Sequence, residues 1–190
     1  MPHPPQAVII AGPNGSGKST CAALLLPEGM PFVNADLIAA ELSGKPGTPG
    51  DINAGRHLLG RLSGYEDQLQ DFAFETTLAT KMLGERVDKW QEKGYQVHLL
   101  YFWLPSADMA VERVEQRVLA GGHNVPEPTI RRRYKKGLEL LFNTYLPRVD
   151  VWKIYDNSRG LDPKLVAKQS ADGGRVIADE AIWNTIRSQA

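Results

Sequence analysis

The sequence predicts a three-layer α/β sandwich, with a parallel central sheet between two layers of helices and a helical lid over one end. Short apolar runs alternate with helix-prone stretches from Ala7 to Tyr155, and that alternation marks successive strand–helix units feeding a parallel sheet. One junction, Gly12-Pro13-Asn14-Gly15-Ser16-Gly17-Lys18-Ser19, fits the phosphate-loop spacing G-x-x-x-x-G-K-[ST], with a strand signal before it and a helix signal after it. Two further predicted strands end in a carboxylate, Asp36 and Glu75. In open parallel sheets, ligands gather at those carboxyl ends. Together these observations place the chain among P-loop NTPases. Its 190 residues suit one domain spanning 1–190, with the lid at about 106–147 and a hairpin and helix at about 162–188.

The elements follow in order. Residues 7–11 form the first strand. The glycines after it let the backbone fold into a nest of N–H donors around a polyphosphate, reinforced by the dipole of the following helix and the charge of Lys18. Ser19 is placed to put its hydroxyl on a magnesium ion bridging two phosphates. The expected nucleotide contacts are therefore Gly12, Pro13, Asn14, Gly15, Ser16, Gly17, Lys18, Ser19 and Thr20. Residues 31–36 read as a second strand ending at Asp36. A helix from Leu37 should stop in the loop 43–50, which is rich in glycine and proline. Asp51 is a plausible cap for a helix over 52–70. Residues 71–75 form a third strand, 81–93 a helix that stops at Gly94, and 96–104 a strand buried on both faces. Ser106 caps a helix to about 120, and 121–126 is a loop. Pro128 suits the first turn of a long helix over 129–145, which Pro147 ends. Residues 151–155 form the last core strand. A hairpin pairs 164–168 with 175–178, and a short amphipathic helix covers 180–188.

Composition narrows the class. The 22 basic and 22 acidic residues cancel, so no global field points to nucleic acid or an anionic membrane. No apolar run approaches the roughly 20 residues of a membrane span. Residues 1–6 lack the charged and apolar regions of a signal peptide. The one cysteine, Cys21, reads as a small buried hydrophobe. These features lead us to expect a cytoplasmic protein.

A phosphate loop does not say whether the nucleotide is substrate, switch or fuel. No N-K-x-D element reads guanine, and no strand ends in Asp-Glu as in motor ATPases. Leu62-Ser63-Gly64-Tyr65 echoes the ABC-type signature only faintly, with Tyr65 where glycine is expected. What remains favours phosphoryl transfer to a small acceptor, which needs a carboxylate to take the acceptor proton and cations to meet the spreading charge. Asp36 is the candidate base; its plainer role is to cap the helix from Leu37. Glu75, followed by Thr76 and Thr77, is placed to hold acceptor hydroxyls or a magnesium-bound water, or simply to cap the next helix. Arg113 and Arg117 share one helix face, and Arg131, Arg132 and Arg133 open the next helix. The two helices read as a lid that carries arginine to the triphosphate; the plainer reading is a solvated face of ordinary ion pairs. The same cluster lacks the interleaved aromatics of a nucleic-acid patch. His123 reads as a hydrogen-bonding loop residue with no partner at metal-ligand spacing.

The phosphate loop with Thr20, the Asn34-Ala35-Asp36 element, Phe74-Glu75-Thr76-Thr77, Gly121-Gly122-His123-Asn124-Val125-Pro126 and Ile130-Arg131-Arg132-Arg133-Tyr134 together resemble the zeta toxin family. Tyr155-Asp156-Asn157-Ser158 resembles the family segment that borders the adenine. The resemblance implies a kinase fold related to the small-molecule kinases, with ATP and Mg2+ as co-substrate. It also implies UDP-N-acetylglucosamine as acceptor, phosphorylated on the 3′-hydroxyl of its sugar; whether a separate antitoxin protein is a partner stays open. Carried over, Lys18 and Ser19 hold phosphates and magnesium, Asp36 is the base, and Glu75 and Thr76 touch the acceptor. Asn157 lies by the nucleotide, and arginines of the Arg117 and Arg132–Arg133 region serve the triphosphate, with Arg117 and Arg132 the catalytic candidates. A kinase for another small hydroxyl compound and a nucleotide-dependent regulatory ATPase stay open as alternatives.

Overall fold

The computed structural model describes residues 3–35, 37–38, 41, 52–160 and 162–190. Seven strands form one sheet in the order β2-β3-β1-β4-β5-β6-β7: β1 (Gln6–Ala11), β2 (Phe32–Val33), β3 (Phe72–Thr76), β4 (Gln96–Trp103), β5 (Val151–Asp156), β6 (Lys164–Gln169) and β7 (Arg175–Ile177). The first five run parallel, and β6 and β7 add an antiparallel edge. The helices are α1 (Lys18–Leu25), α2 (Ile52–Asp67), α3 (Met82–Glu92), α4 (Ala107–Leu119), α5 (Glu127–Leu140) and α6 (Glu180–Ser188).

Strand alternation explains the layers. Along β1, Ala7, Ile9 and Ala11 enter the larger core with Phe72, Phe74, Leu99 and Trp90. Val8 and Ile10 point the other way, into a smaller core with Cys21 and Ala22 of α1 and with Ala73 and Phe102. Both faces of the sheet are therefore apolar and both are covered, as a parallel sheet requires. Cys21 is buried as expected, and burial pushes its thiol pKa up. No described helix is long and apolar enough to cross a membrane.

Several expected boundaries move. The second strand is only Phe32–Val33, because it lies at the sheet edge and its ladder to β3 comprises Phe32↔Ala73 and Val33↔Phe74. The third strand runs one residue past Glu75, since Thr76 pairs with Ala11. The long lid helix starts at Glu127, and its last turn, Leu141–Tyr145, widens to a π-helix. That turn brings the Tyr145 hydroxyl to the Thr80 carbonyl. Asp36, the loop 43–50 and the cap at Asp51 lie outside the described residues. The hairpin and last helix fall where the sequence places them.

The packing anchor of the larger core is aromatic. Trp90 meets Phe72 edge-on at 5.4 Å and Phe74 at 5.7 Å, while its Nε1 donates to Glu66 Oε1 at 2.7 Å. Arg86 donates to the same carboxylate and to Ser63 Oγ, tying α3 to α2. Trp90→Ala should therefore destabilise the domain by about 3–5 kcal/mol, the usual range for a buried aromatic cut to alanine. Denaturant unfolding checks this, and a cost under about 1 kcal/mol would show that α3 packs without it.

Candidate functional site

The loop after β1 is built by close backbone approaches. Gly12, Gly15 and Gly17 all take positive φ, at 143°, 78° and 79°. A side chain on Gly12 would run into the Phe102 carbonyl, and one on Gly15 would sit 2.8 Å from the Ala110 carbonyl. Only glycine tolerates both demands. Asn157, just past β5, packs behind the loop: its Nδ2 donates to the Ser16 carbonyl at 2.8 Å, and it is buried. The structure thus places Asn157 as a brace of the loop. Gly17 caps α1, whose first turn holds no acidic residue of its own, so the positive pole of the helix faces the loop. Pro13, Asn14, Ser16 and Lys18 complete the loop, and Asn14, Ser16 and Lys18 are buried. Thr20 is exposed on the first turn of α1.

Glu75 gathers the polar groups around this loop. Its Oε2 accepts from Ser19 Oγ at 2.6 Å and from Asn34 Nδ2 at 2.8 Å. Its Oε1 lies 3.5 Å from Lys18 Nζ, which also donates to the Pro13 carbonyl at 2.8 Å. The cause is topological: β3 lies between β2 and β1, so the ends of all three strands converge. Ser19 and Glu75 offer one hydroxyl and one carboxylate side by side. That donor set fits magnesium, which keeps several waters and takes phosphate oxygens for the rest of its octahedron. Among the described residues no cluster of three His, Cys, Asp or Glu offers an all-protein metal cage.

A cavity of about 700 Å³ opens beside this cluster. Its wall includes Asn14, Lys18, Asn34 and Glu75, then the hydroxyl residues Thr76, Thr77, Thr80 and Thr129. Arg56, His123 and Arg133 add basic side chains, and Leu58, Leu59, Met82 and Leu83 form an apolar part. Thr76 Oγ1 accepts from the Leu78 amide at 3.1 Å, so its hydroxyl proton remains to be donated elsewhere. Leu78 itself is buried with φ at 56°, a left-handed leucine between the lining residues Thr77 and Thr80 in the chain.

The lid arginines divide sharply. Arg113 donates to the Asn157 and Ser158 carbonyls, at 2.9 and 2.7 Å. Arg117 gives Nε and Nη2 to the His123 carbonyl, at 3.1 and 2.7 Å, and so shapes the loop 121–126. Arg131 pairs with Asp108 and Glu127 on the surface. Arg132 is exposed, and neither it nor Arg117 belongs to the cavity wall. Arg133 does. The sequence singles out the Arg132–Arg133 region and favours Arg132 within it, whereas Arg133 is the member that lines the cavity. The sequence also passes over Asn34 as a partner of Glu75, although Asn34 sits at the end of the edge strand.

A family model described as the AAA domain matches residues 8–140. The chain belongs to the AAA domain family. An uncharacterized protein of Haemophilus influenzae is 30% identical over 129 residues, 68% of this chain and 92% of that protein. The dephospho-CoA kinase of Anaeromyxobacter dehalogenans is 31% identical over 187 residues, 92% of this AAA-domain chain and 82% of its relative. Among solved structures, a chain of the AvrRxo1-ORF1:ORF2 complex with ATP superposes with a TM-score of 0.76 at 15% identity. That match covers 97% of this chain and 64% of that one, so this chain spans under two thirds of the other's length. The PezAT toxin–antitoxin system of Streptococcus pneumoniae gives a TM-score of 0.59 at 14% identity, covering 99% and 85%. The AAA-domain chain is a kinase-like P-loop enzyme, a phosphotransferase.

Glu75→Gln keeps an oxygen for Ser19 and Asn34 but removes the charge. If Glu75 serves the magnesium position, the metal concentration for half-maximal turnover rises about 10- to 100-fold, the cost of losing a group around a metal site. A magnesium titration at fixed ATP checks this; an unchanged midpoint would confine Glu75 to the acceptor.

Proposed function

We propose that this chain transfers the γ-phosphate of ATP to a hydroxyl of a small molecule lying in the cavity, with a nucleotide sugar such as UDP-N-acetylglucosamine as first choice. The observation that carries this reading is the combination of chemistries in one wall. Lys18 and Asn14 of the phosphate loop, four threonines, Arg56, His123 and Arg133, and an apolar stretch all line the same cavity. A nucleotide sugar asks for those partners: hydroxyls for the sugar, cations for the pyrophosphate and apolar surface for the base. Buried polar groups that each find a partner discriminate strongly against molecules lacking them.

In this reading Asp36 takes the acceptor proton as the acceptor oxygen bonds to the γ-phosphorus and the bond to the β-phosphate oxygen breaks. Lys18 and Arg133 meet the charge that spreads over the transferring group. Ser19 and Glu75 would hold magnesium, which neutralises the phosphates when bound. A zeta-type role with a separate antitoxin belongs to the same proposal, supported by the two-protein assemblies among the similar structures. So does a cytoplasmic setting. The relative named dephospho-CoA kinase favours a second acceptor, dephospho-CoA, which also joins a pyrophosphate to hydroxyl-bearing ribose. A regulatory ATPase is the reading from another class.

The test incubates the protein with magnesium, ATP and each of UDP-N-acetylglucosamine, other nucleotide sugars, dephospho-CoA, NAD and free sugars. Mass spectrometry then looks for one added phosphate. Phosphate on the UDP sugar supports the first choice, and phosphate on another member keeps the kinase and replaces the acceptor. ADP forming at one rate whatever is added would sink the acceptor idea. With the acceptor so found, Asp36→Asn should lower transfer roughly 100-fold or more while ATP affinity stays within a few-fold, as for a positioned base.

The arginines give a separate expectation. Arg133→Ala should lower turnover about 10- to 100-fold with a smaller effect on ATP affinity, because its charge matters most in the transition state. Arg132→Ala should behave like wild type. Steady-state kinetics on both variants decides, and the reverse ranking would return the catalytic role to Arg132.

A further inference from the structure

The last helix lies beyond residues 8–140, the stretch shared with the family, and the site described above does not use it. Its placement is nevertheless specific. Asp179 caps α6 by accepting from the Ile182 amide at 3.0 Å. Trp183 stacks on Trp152 with centroids 5.9 Å apart and planes 5° apart, and it also meets Phe142 at 5.6 Å. Ile186 is fully buried. The helix therefore carries its final turn to a defined place.

That place is the root of the lid. Gln189 Oε1 accepts from Trp103 Nε1 at 3.1 Å, and Nε2 donates to the Pro105 carbonyl at 3.0 Å. The indole N–H can only donate and the carbonyl can only accept, so these two partners fix which end of the amide points where. Tyr134 lies 3.0 Å from the same Oε1 and 2.8 Å from the Leu104 carbonyl. Burial pushes the Tyr134 pKa up to about 12, so the hydroxyl keeps its proton through the working range. One side chain thus joins three parts: the end of β4 at Trp103, the carbonyl just before the Ser106 cap of α4, and Tyr134 of α5.

Tyr134 follows Arg133 directly. Phe142, eight residues on and roughly 12 Å along the helical path, is gripped by Trp183. The last helix therefore holds the second lid helix at two points on one side, while Arg133 reaches the cavity on another. We propose that Gln189 is a positioning residue for phosphoryl transfer: it latches α5 to the end of β4 and so sets where Arg133 stands over the cavity. The proposal rests on the kinase reading of that cavity only through Arg133.

The latch has a clear chemical weak point. Truncating Gln189 leaves the Pro105 carbonyl without its amide partner and the buried Trp103 N–H with only the Tyr134 oxygen, whereas Tyr134 retains Leu104. A glutamate there still accepts from Trp103 but turns a carboxylate oxygen toward the Pro105 carbonyl. Its effect should lie between wild type and alanine.

The experiment compares wild type, Gln189→Ala, Gln189→Glu and Arg187→Ala, the last an exposed position on the same helix. Three quantities are read: magnesium-dependent ATP hydrolysis without any acceptor, transfer to whichever acceptor the panel identifies, and amide hydrogen exchange in the protein alone. For Gln189→Ala, kcat should fall about 10-fold with the KM for ATP within about twofold, the pattern of an interaction felt in the transition state. Exchange over 130–138 should rise about 10-fold while 7–11 and 97–103 stay unchanged, the pattern of local rather than global opening. Gln189→Glu should show about a threefold loss by the same kinetic measure, and Arg187→Ala none. Wild-type kcat and exchange in Gln189→Ala would overturn the latch. Faster exchange everywhere, with kcat and ATP affinity falling together, would reduce it to general stability and overturn the positioning role. If no panel member accepts phosphate, hydrolysis and exchange still decide, so the latch and the acceptor assignment fail separately.

Discussion

The site depends on one carboxylate facing three donors. Glu75 accepts from Ser19 and Asn34 and stands 3.5 Å from the ammonium of Lys18. Lys18 is only 5% exposed, and a charge so deep is costly unless another charge and good hydrogen bonds meet it. Glu75 and the Pro13 carbonyl meet that need in the protein alone. A polyphosphate at the loop would compete for the same donors.

That cluster exists because of strand order and register. Inserting β3 between β2 and β1 brings Asn34, Glu75 and the loop of Lys18 to one edge of the sheet. The pairing Ile10↔Glu75 sets the carboxylate level with the last turns of β1. A slip of one residue would send Glu75 to the opposite face. Register is protected by the core itself, since Phe72 and Phe74 must both enter the aromatic cluster with Trp90. The stability of the larger core and the placement of one functional carboxylate are thus the same constraint, expressed on alternate residues of a five-residue strand.

Much of this was legible in the residues. The phosphate loop, the alternation of strands and helices, the Ser106 cap and the final hairpin and helix all rest on local patterns, and local patterns survive folding. Strand order does not: nothing within residues 72–76 says that they lie between two earlier segments, so the partnership of Glu75 with Ser19 and Asn34 had to await the sheet. Asn157 likewise reads locally as a residue after a strand, and only packing turns it toward the back of the loop. Arg133 is an instructive middle case. Ile130, Tyr134, Gly137 and Leu138 mark the inward stripe of α5, and Arg133, three after Ile130 and four before Gly137, flanks it. Arg132 lies about 100° further round the helix. The phase that separates the two arginines was present in the sequence, but the choice between them needed the cavity on one side of that stripe.

The same logic gives the α4 arginines a role other than direct contact with phosphate. Arg113 and Arg117 place guanidinium donors on backbone carbonyls, where a charged donor is worth more than a neutral one. Arg113 holds the turn after β5, whose Asn157 braces the phosphate loop. Arg117 holds the His123 carbonyl, and His123 with its three successors forms part of the cavity wall. Charge placed this way acts through backbone geometry: one arginine stiffens the floor on which the triphosphate would rest, and the other curves the loop against which an acceptor would press. In the protein alone the two helices act less as a collection of free cations than as a frame: the α4 arginines hold backbone carbonyls, and Arg133 of α5 lines the cavity.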